Sequence, residues 1–176
     1  LSADPRSVST NLWFWVHLFG KRLDRFGDHR CAYMRSGRVQ ARAKPVELAW
    51  AWVFREAGKE EGATVRCQHL LRHSTLPVEP SDNRRIDVLV EGLPLYSGRP
   101  FFCDATLRSP LKGDGAPHPR AATTDGAVLQ KALRKKEERY EDVARSELAE
   151  LVVLGCEVGG RWSETAVDLV RQLAKL

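Results

Sequence analysis

Apolar and polar positions change period several times along this chain, and the changes mark out its elements. Val46, Ala49-Trp50, Val53-Phe54 and Ala57 recur at helical spacing, so a first helix is predicted over Lys44–Ala57, with Pro45 in its first turn and Gly58 as its stop. Thr64–Leu71, Arg85–Glu91 and Phe101–Leu107 read as short strands, the last two separated by a turn rich in Gly and Pro. Ser109–Thr124 holds three prolines and two glycines and is expected to be a long surface loop. A second helix is predicted from about Asp125 to Ser146, capped by Thr124 or Asp125. Leu151–Val158 is the most strand-like run, and Ser163–Leu176 forms an amphipathic helix with Ser163 as cap and Glu164 in its first turn. The predicted order is α-β-β-β-α-β-α, without internal repeats. Residues 1–43 look irregular or partly helical, with Trp13, Phe14, Trp15 and Phe19 as anchors.

Composition narrows the class. The chain has 176 residues, 43% hydrophobic and 29% charged, which suits one globular domain with a real core. No apolar run approaches the roughly 20 residues of a spanning helix; Leu12–Phe19 is too short and contains His17. The chain begins at Leu1 and is expected to be a piece of something longer. Cys31, Cys67, Cys103 and Cys156 show no C-x-x-C spacing, and three of them fall in apolar runs, so a reduced, intracellular protein is expected rather than a disulfide scaffold.

Charge adds more than its total of +5. Lys21, Arg22, Arg25, Arg30, Arg35, Arg38, Arg42 and Lys44 face only Asp24 and Asp28 within one segment. Such a block suits a phosphate backbone, and equally a solvated basic surface. His17, His29 and Cys31 offer three ligands at irregular spacing; a metal-free knuckle is the main expectation there and zinc the minor one. His69 and His73 are expected at a strand end as surface groups, His118 is expected to be solvated in its loop, and Trp50, Trp52 and Trp162 are expected to pack rather than stack on bases.

Two strands each carry one aspartate, Asp87 and Asp104, and a bare carboxylate in such a run is costly to bury unless something pairs with it. In the second helix Leu129, Leu133, Tyr140 and Val143 form a stripe that Lys136 completes. Lys136 therefore either snorkels at the edge or meets a carboxylate under the helix. A plain ion pair is one reading. The other is chemical: a hard cation held by a few carboxylate oxygens activates water and stabilises phosphate charge, and a lysine beside it assists.

The pattern Arg85-x-Asp87-Val, apolar-apolar-Asp104-x-Thr106, then Lys136-x-x-x-Tyr140 resembles the PD-(D/E)XK restriction-like nucleases, closest to the C-terminal endonuclease of site-specific non-LTR retrotransposon polyproteins. The likeness covers about residues 44–158, and Phe26–Cys31 is similar to the region that precedes the nuclease in those polyproteins. It implies a restriction-endonuclease-like α/β (α+β) core, a mixed four-stranded sheet flanked by helices, over 44–176, behind a basic segment at 1–43. It implies Asp87 and Asp104 as ligands of Mg²⁺ or Mn²⁺, and Lys136 in place of the lysine usually two residues after the second acid, where Thr106 stands. Glu47 matches the extra acid of many members, or is a solvated helix residue. DNA is the implied partner, with Arg38, Arg42, Lys44, Arg85, Arg108 and Lys112 along it and Arg120 nearby. An upstream reverse transcriptase domain, a nuclear location and no membrane association complete the expectation. The alternative is a catalytically inactive nucleic-acid-binding domain of the same fold; a structural domain with a plain Lys136–Asp104 pair ranks third. No phosphate-cradling glycine loop calls for a nucleotide cofactor.

Overall fold

The computed structural model describes residues 38–112 and 114–176, with side chains from residue 41 onward. The expectations placed on His17, His29, Cys31 and most of the 1–43 segment lie outside these residues. Helix α1 (Arg38–Ala57) is followed by β1 (Thr64–Leu70), β2 (Arg85–Glu91), β3 (Phe101–Arg108), α2 (Ala127–Arg139), a single turn α3 (Glu141–Ala144), β4 (Glu150–Glu157) and α4 (Glu164–Leu173). The sheet order is β1-β2-β3-β4, antiparallel across the first three strands and parallel between β3 and β4. The fold is thus α/β with a mixed four-stranded sheet flanked by helices. Parallel strands need a long crossover, and α2 with α3 provides it.

Strand alternation sends neighbouring residues to opposite faces and gives the protein two cores. On one face Phe101, Cys103 and Ala105 of β3 pack with Trp50 and Phe54 of α1 and with Ala166, Leu169 and Leu173 of α4. On the other, Leu89 and Phe102 pack with Tyr140, Val143 and Ala149 around α3. Each of these large side chains contributes about 1.5–3 kcal/mol when fully buried.

Four local expectations need correction. Helix α1 is already formed at Arg38, six residues before Lys44, and runs through the boundary expected at 43/44. Pro45 therefore sits inside the helix, where its missing N–H removes one internal bond while the flanking Ala and Arg residues favour helix. The long helix predicted to Ser146 breaks at Tyr140 (φ −116°, ψ 39°). A group outside the helix meets the break: Arg84 Nη1 donates to the Arg139 carbonyl at 2.7 Å. At the start of α2 the cap is Gly126 in the left-handed region (φ +70°), not Thr124 or Asp125. Asp125 instead pairs with Arg161 at 2.7 Å. Among the tryptophans Trp50 is buried and Trp162, though 43% exposed, packs edge-on against it with ring centroids 5.7 Å apart, while Trp52 is 62% exposed and departs from the expectation. Ser163 does cap α4, its Oγ accepting from Ala166 N–H.

Candidate active site at the opened centre of the sheet

Asp87 lies where the sheet comes apart. The β2–β3 ladder ends at Val88↔Cys103, so one further step would set Asp87 opposite Asp104. The β1–β2 ladder is interrupted at the same point: Cys67 pairs with Val88 and His69 with Ile86, while the intervening Gln68 and Asp87 are unpaired. Gln68 takes a left-handed φ of +51°, which costs a non-glycine residue on the order of 1–2 kcal/mol. The Asp87 carboxylate replaces the missing ladder bonds. Its Oδ2 accepts from Ala105 N–H at 2.9 Å and its Oδ1 from Gln68 Nε2 at 3.1 Å. Burial raises the Asp87 pKa to about 6, the negative charges of Asp104 and Glu47 add to the rise, and the Ala105 N–H opposes it.

Asp104 is deeper, at 2% exposure. Its Oδ2 accepts from Lys136 Nζ at 2.6 Å, so the lysine that completes the α2 stripe meets a carboxylate beneath the helix. Its Oδ1 is buried without a hydrogen-bond partner, and such an acceptor is costly to leave unmet. Tyr140 supports the lysine from below. Its ring centroid is 6.0 Å from Lys136 Nζ, and its hydroxyl donates to the Arg85 carbonyl at 2.6 Å. Burial, with the charge of Asp104 next, pushes the phenol up to about 12, so it stays neutral.

Glu47 reaches the site from α1 and is 5% exposed, not solvated. Lys44 Nζ holds its Oε1 at 2.6 Å. Thr106, two residues beyond Asp104, is also buried. The structure therefore brings Asp104, Glu47 and Lys136 within electrostatic reach of Asp87, and Lys136 onto Asp104. The basic residues expected along DNA are more scattered. Arg42 is exposed on α1, Arg85 is exposed at the start of β2, and Lys112 and Arg120 are exposed in the loop after β3. Arg108 ends β3, half-buried, and the side chain of Arg38 lies outside the description.

The donor set has the chemistry of a hard-cation site. Two carboxylates interact across β2 and β3; one carries an oxygen that nothing satisfies, and the other has a proton affinity raised by burial and then by its carboxylate neighbour. Among the described residues no three His, Cys, Asp or Glu side chains converge closely enough to hold a metal by themselves. Mg²⁺ keeps several waters and takes one or two carboxylates with substrate phosphate, so its binding does not require such a cluster. Gln68 was not legible in the sequence, because its place depends on strand register and a left-handed backbone.

No protein-family model matches the chain, and no curated protein matches it. Among the described residues no helix is long and apolar enough to cross a membrane, and Cys67, Cys103 and Cys156 are free thiols.

Proposed function

We propose that this chain is a metal-dependent DNA endonuclease domain of the restriction-like type, acting for a mobile element beside a reverse transcriptase. The observation that carries the reading is the paired opening of the sheet at Asp87. It brings the half-buried Asp87 carboxylate beside the buried Asp104 carboxylate, with Lys136 on Asp104 and one oxygen of Asp104 left over. A structural ion pair does not need an orphaned oxygen, a second carboxylate or a strained Gln68 beside it. A nuclease does, since strain and unmet charge are held where substrate or metal completes them.

In this reading Asp87 and Asp104 hold Mg²⁺ or Mn²⁺, which when bound polarises the phosphate and makes an attacking water more nucleophilic. Lys136 supplies positive charge to the phosphate or orients the water through Nζ, in the place a lysine near Thr106 would otherwise fill. Asp104 and the Tyr140 ring hold that ammonium in position. Glu47, steadied by Lys44, would accept a bond from the attacking water. Arg42 and Arg85 offer backbone contacts at the rim, and Lys112 and Arg120 do so from the loop.

The deciding experiment is nicking of supercoiled plasmid with Mg²⁺ or Mn²⁺ by the wild type, Asp104→Ala and Lys136→Ala. Cleavage by the wild type that EDTA and both substitutions abolish establishes the nuclease. Wild type and variants that are equally inert yet retard DNA on a gel overturn catalysis and leave the binding domain of the same fold. The Lys136–Asp104 pair, already closed at 2.6 Å, is the observation that favours that second reading.

A further inference from the structure

Past the carboxylates, β3 ends in a second polar feature. Alternation puts Arg108 on the same side of β3 as Asp104, four residues and about 13 Å further along. There Arg108, Ser109 and His118 meet Lys131 and Lys135 of α2 around a pocket of about 120 Å³. Its floor is Val128 and Ala132, both buried. Lys131 and Lys135 are one turn apart and share a face of the helix. His118 is only half-exposed, not solvated as expected, because its backbone N–H donates to the Pro110 carbonyl at 2.8 Å and folds the loop against α2.

The pocket is positive and unneutralised. Arg108 Nε is buried and has no hydrogen-bond partner. Arg108, Lys131 and Lys135 form no ion pair among the described residues. Glu157 faces Arg108 in the β3–β4 register but is taken by Arg161, at 3.5 Å. Burial first, then the charges of Lys131, Lys112 and Arg108, lower the His118 pKa, and the nearby Asp114 opposes them only in part. A buried guanidinium N–H without an acceptor is rare in a native structure, and an anion in the pocket would supply one.

We infer that the Arg108–Ser109–His118–Lys131–Lys135 pocket is a binding site for a phosphate group of a nucleic-acid backbone. The volume holds several waters and so a tetrahedral oxyanion. Arg108 donates from the sheet, the two lysines from the helix and His118 from the loop. The identification of the phosphate as DNA backbone rests on the nuclease reading; the anion site itself does not. At about 3.4 Å of axis per nucleotide, 13 Å places this phosphate a few nucleotides from the one at Asp104. The pocket would thereby set which phosphate lies over the carboxylates.

Two measurements test this, and neither involves cleavage. In the first, inorganic phosphate is titrated into the full chain while the His118 ring resonances are followed by NMR. A saturable shift is expected, with affinity about ten-fold or more weaker in Lys131→Gln/Lys135→Gln, which loses charge-assisted bonds at exposed positions that do not hold the core. Lys175→Gln, an exposed lysine elsewhere, should titrate like the wild type. In the second, duplex DNA binding is measured against salt. The double variant should lower the slope of log K on log salt by about 0.9, the loss of one phosphate contact. No saturable shift at His118, or the same affinity in the double variant, overturns the pocket as an anion site. Phosphate binding that is lost while the DNA slope stays unchanged overturns the backbone assignment and leaves a site for free phosphate. An inert nuclease would alter neither result.

Discussion

Arg84 and Lys136 both join aspartates around the end of α2, and they do so in opposite ways. Arg84 is bound by Asp82 and by Asp142, and it also donates to the Arg139 carbonyl. Both carboxylates are held below their usual range by that guanidinium, and Arg84 is held well above its own. Every charge there has a partner, and the cluster joins β2 to α3. Lys136 has one carboxylate, and around it lie an orphaned oxygen of Asp104, an Asp87 with its pKa raised to about 6 and a left-handed Gln68. The first arrangement is complete without a ligand. The second leaves a buried acceptor unmet, and that contrast is what supports the proposed site.

The largest test of this contrast uses the incomplete cluster. Asp104→Asn and Lys136→Met should each lower metal-dependent nicking by about 10²–10⁴-fold, the range for losing a group that acts on the proton or charge of the transition state. Lys136→Met should also lose about 2–3 kcal/mol of stability, since it leaves a buried carboxylate unpaired. The double variant should regain most of that stability and none of the activity. Urea melts of the four proteins with plasmid nicking measure both. Activity that returned with stability would make Lys136–Asp104 a pair like Arg84's.

Arg84→Ala is the converse. It strands Asp82 and Asp142 and frees the Arg139 carbonyl, so stability should fall by about 2–3 kcal/mol. Nicking per folded molecule should hold within about two-fold, because the structure gives Arg84 no bond to Asp87, Asp104 or Lys136. A loss of rate at temperatures where the variant is fully folded would join the two clusters into one machine.

The pH dependence separates them next. Asp87 binds its proton more tightly in the folded protein, about 6 against an ordinary 3.8, so between those values the native state carries the extra proton. Stability therefore falls as pH rises from about 4 to 6, and the ionised carboxylate costs stability above that. Two pKa units correspond to about 3 kcal/mol; partial exposure and coupling to Asp104 reduce the expected effect to about 1–2 kcal/mol. Asp87→Asn should be more stable than the wild type at pH 7 by that amount, and the difference should vanish near pH 4. Adding Mn²⁺ at pH 7 should raise the wild-type melting temperature and leave the variant unmoved. Equal pH profiles for the two proteins would show that Asp87 is satisfied as it stands.

How far the sequence revealed this depended on the kind of physics involved. Strand boundaries were legible where alternation and turn residues agreed, so β2 was read to the residue, Arg85–Glu91. Lys136 stood out because a cation on an apolar stripe needs a partner, and the structure supplies one 32 positions away. Helix ends were less legible. At the break at Tyr140 the freed Arg139 carbonyl is met by Arg84 from another element, and the run of α1 ahead of Lys44 depends on tolerating Pro45 inside a helix. Glu47 was balanced between site and surface, since helical periodicity alone does not say that α1 turns that position inward. Gln68 was invisible: nothing in Arg66-Cys67-Gln68-His69 distinguishes the residue that ends up opposite Asp87.

Gln68 also gives the smallest and most local test. Its backbone is strained and its side chain holds Asp87 Oδ1, so substitution trades one effect against the other. Gln68→Ala keeps the strain and loses the bond, and should cost about 1 kcal/mol, little more because the position is exposed. Gln68→Gly loses the same bond but relaxes the left-handed φ, worth about 1 kcal/mol to a residue without Cβ. Glycine should therefore be close to wild type in stability and more stable than alanine. In metal dependence the two should agree, each needing a few-fold more Mn²⁺ for half-maximal nicking, because both leave one oxygen of Asp87 unheld. A stability gap between glycine and alanine with matched metal requirements would show that the backbone strain and the carboxylate's orientation are separate contributions of one residue. If glycine also bound metal as the wild type does, the amide would be incidental, and the Ala105 N–H would hold Asp87 alone.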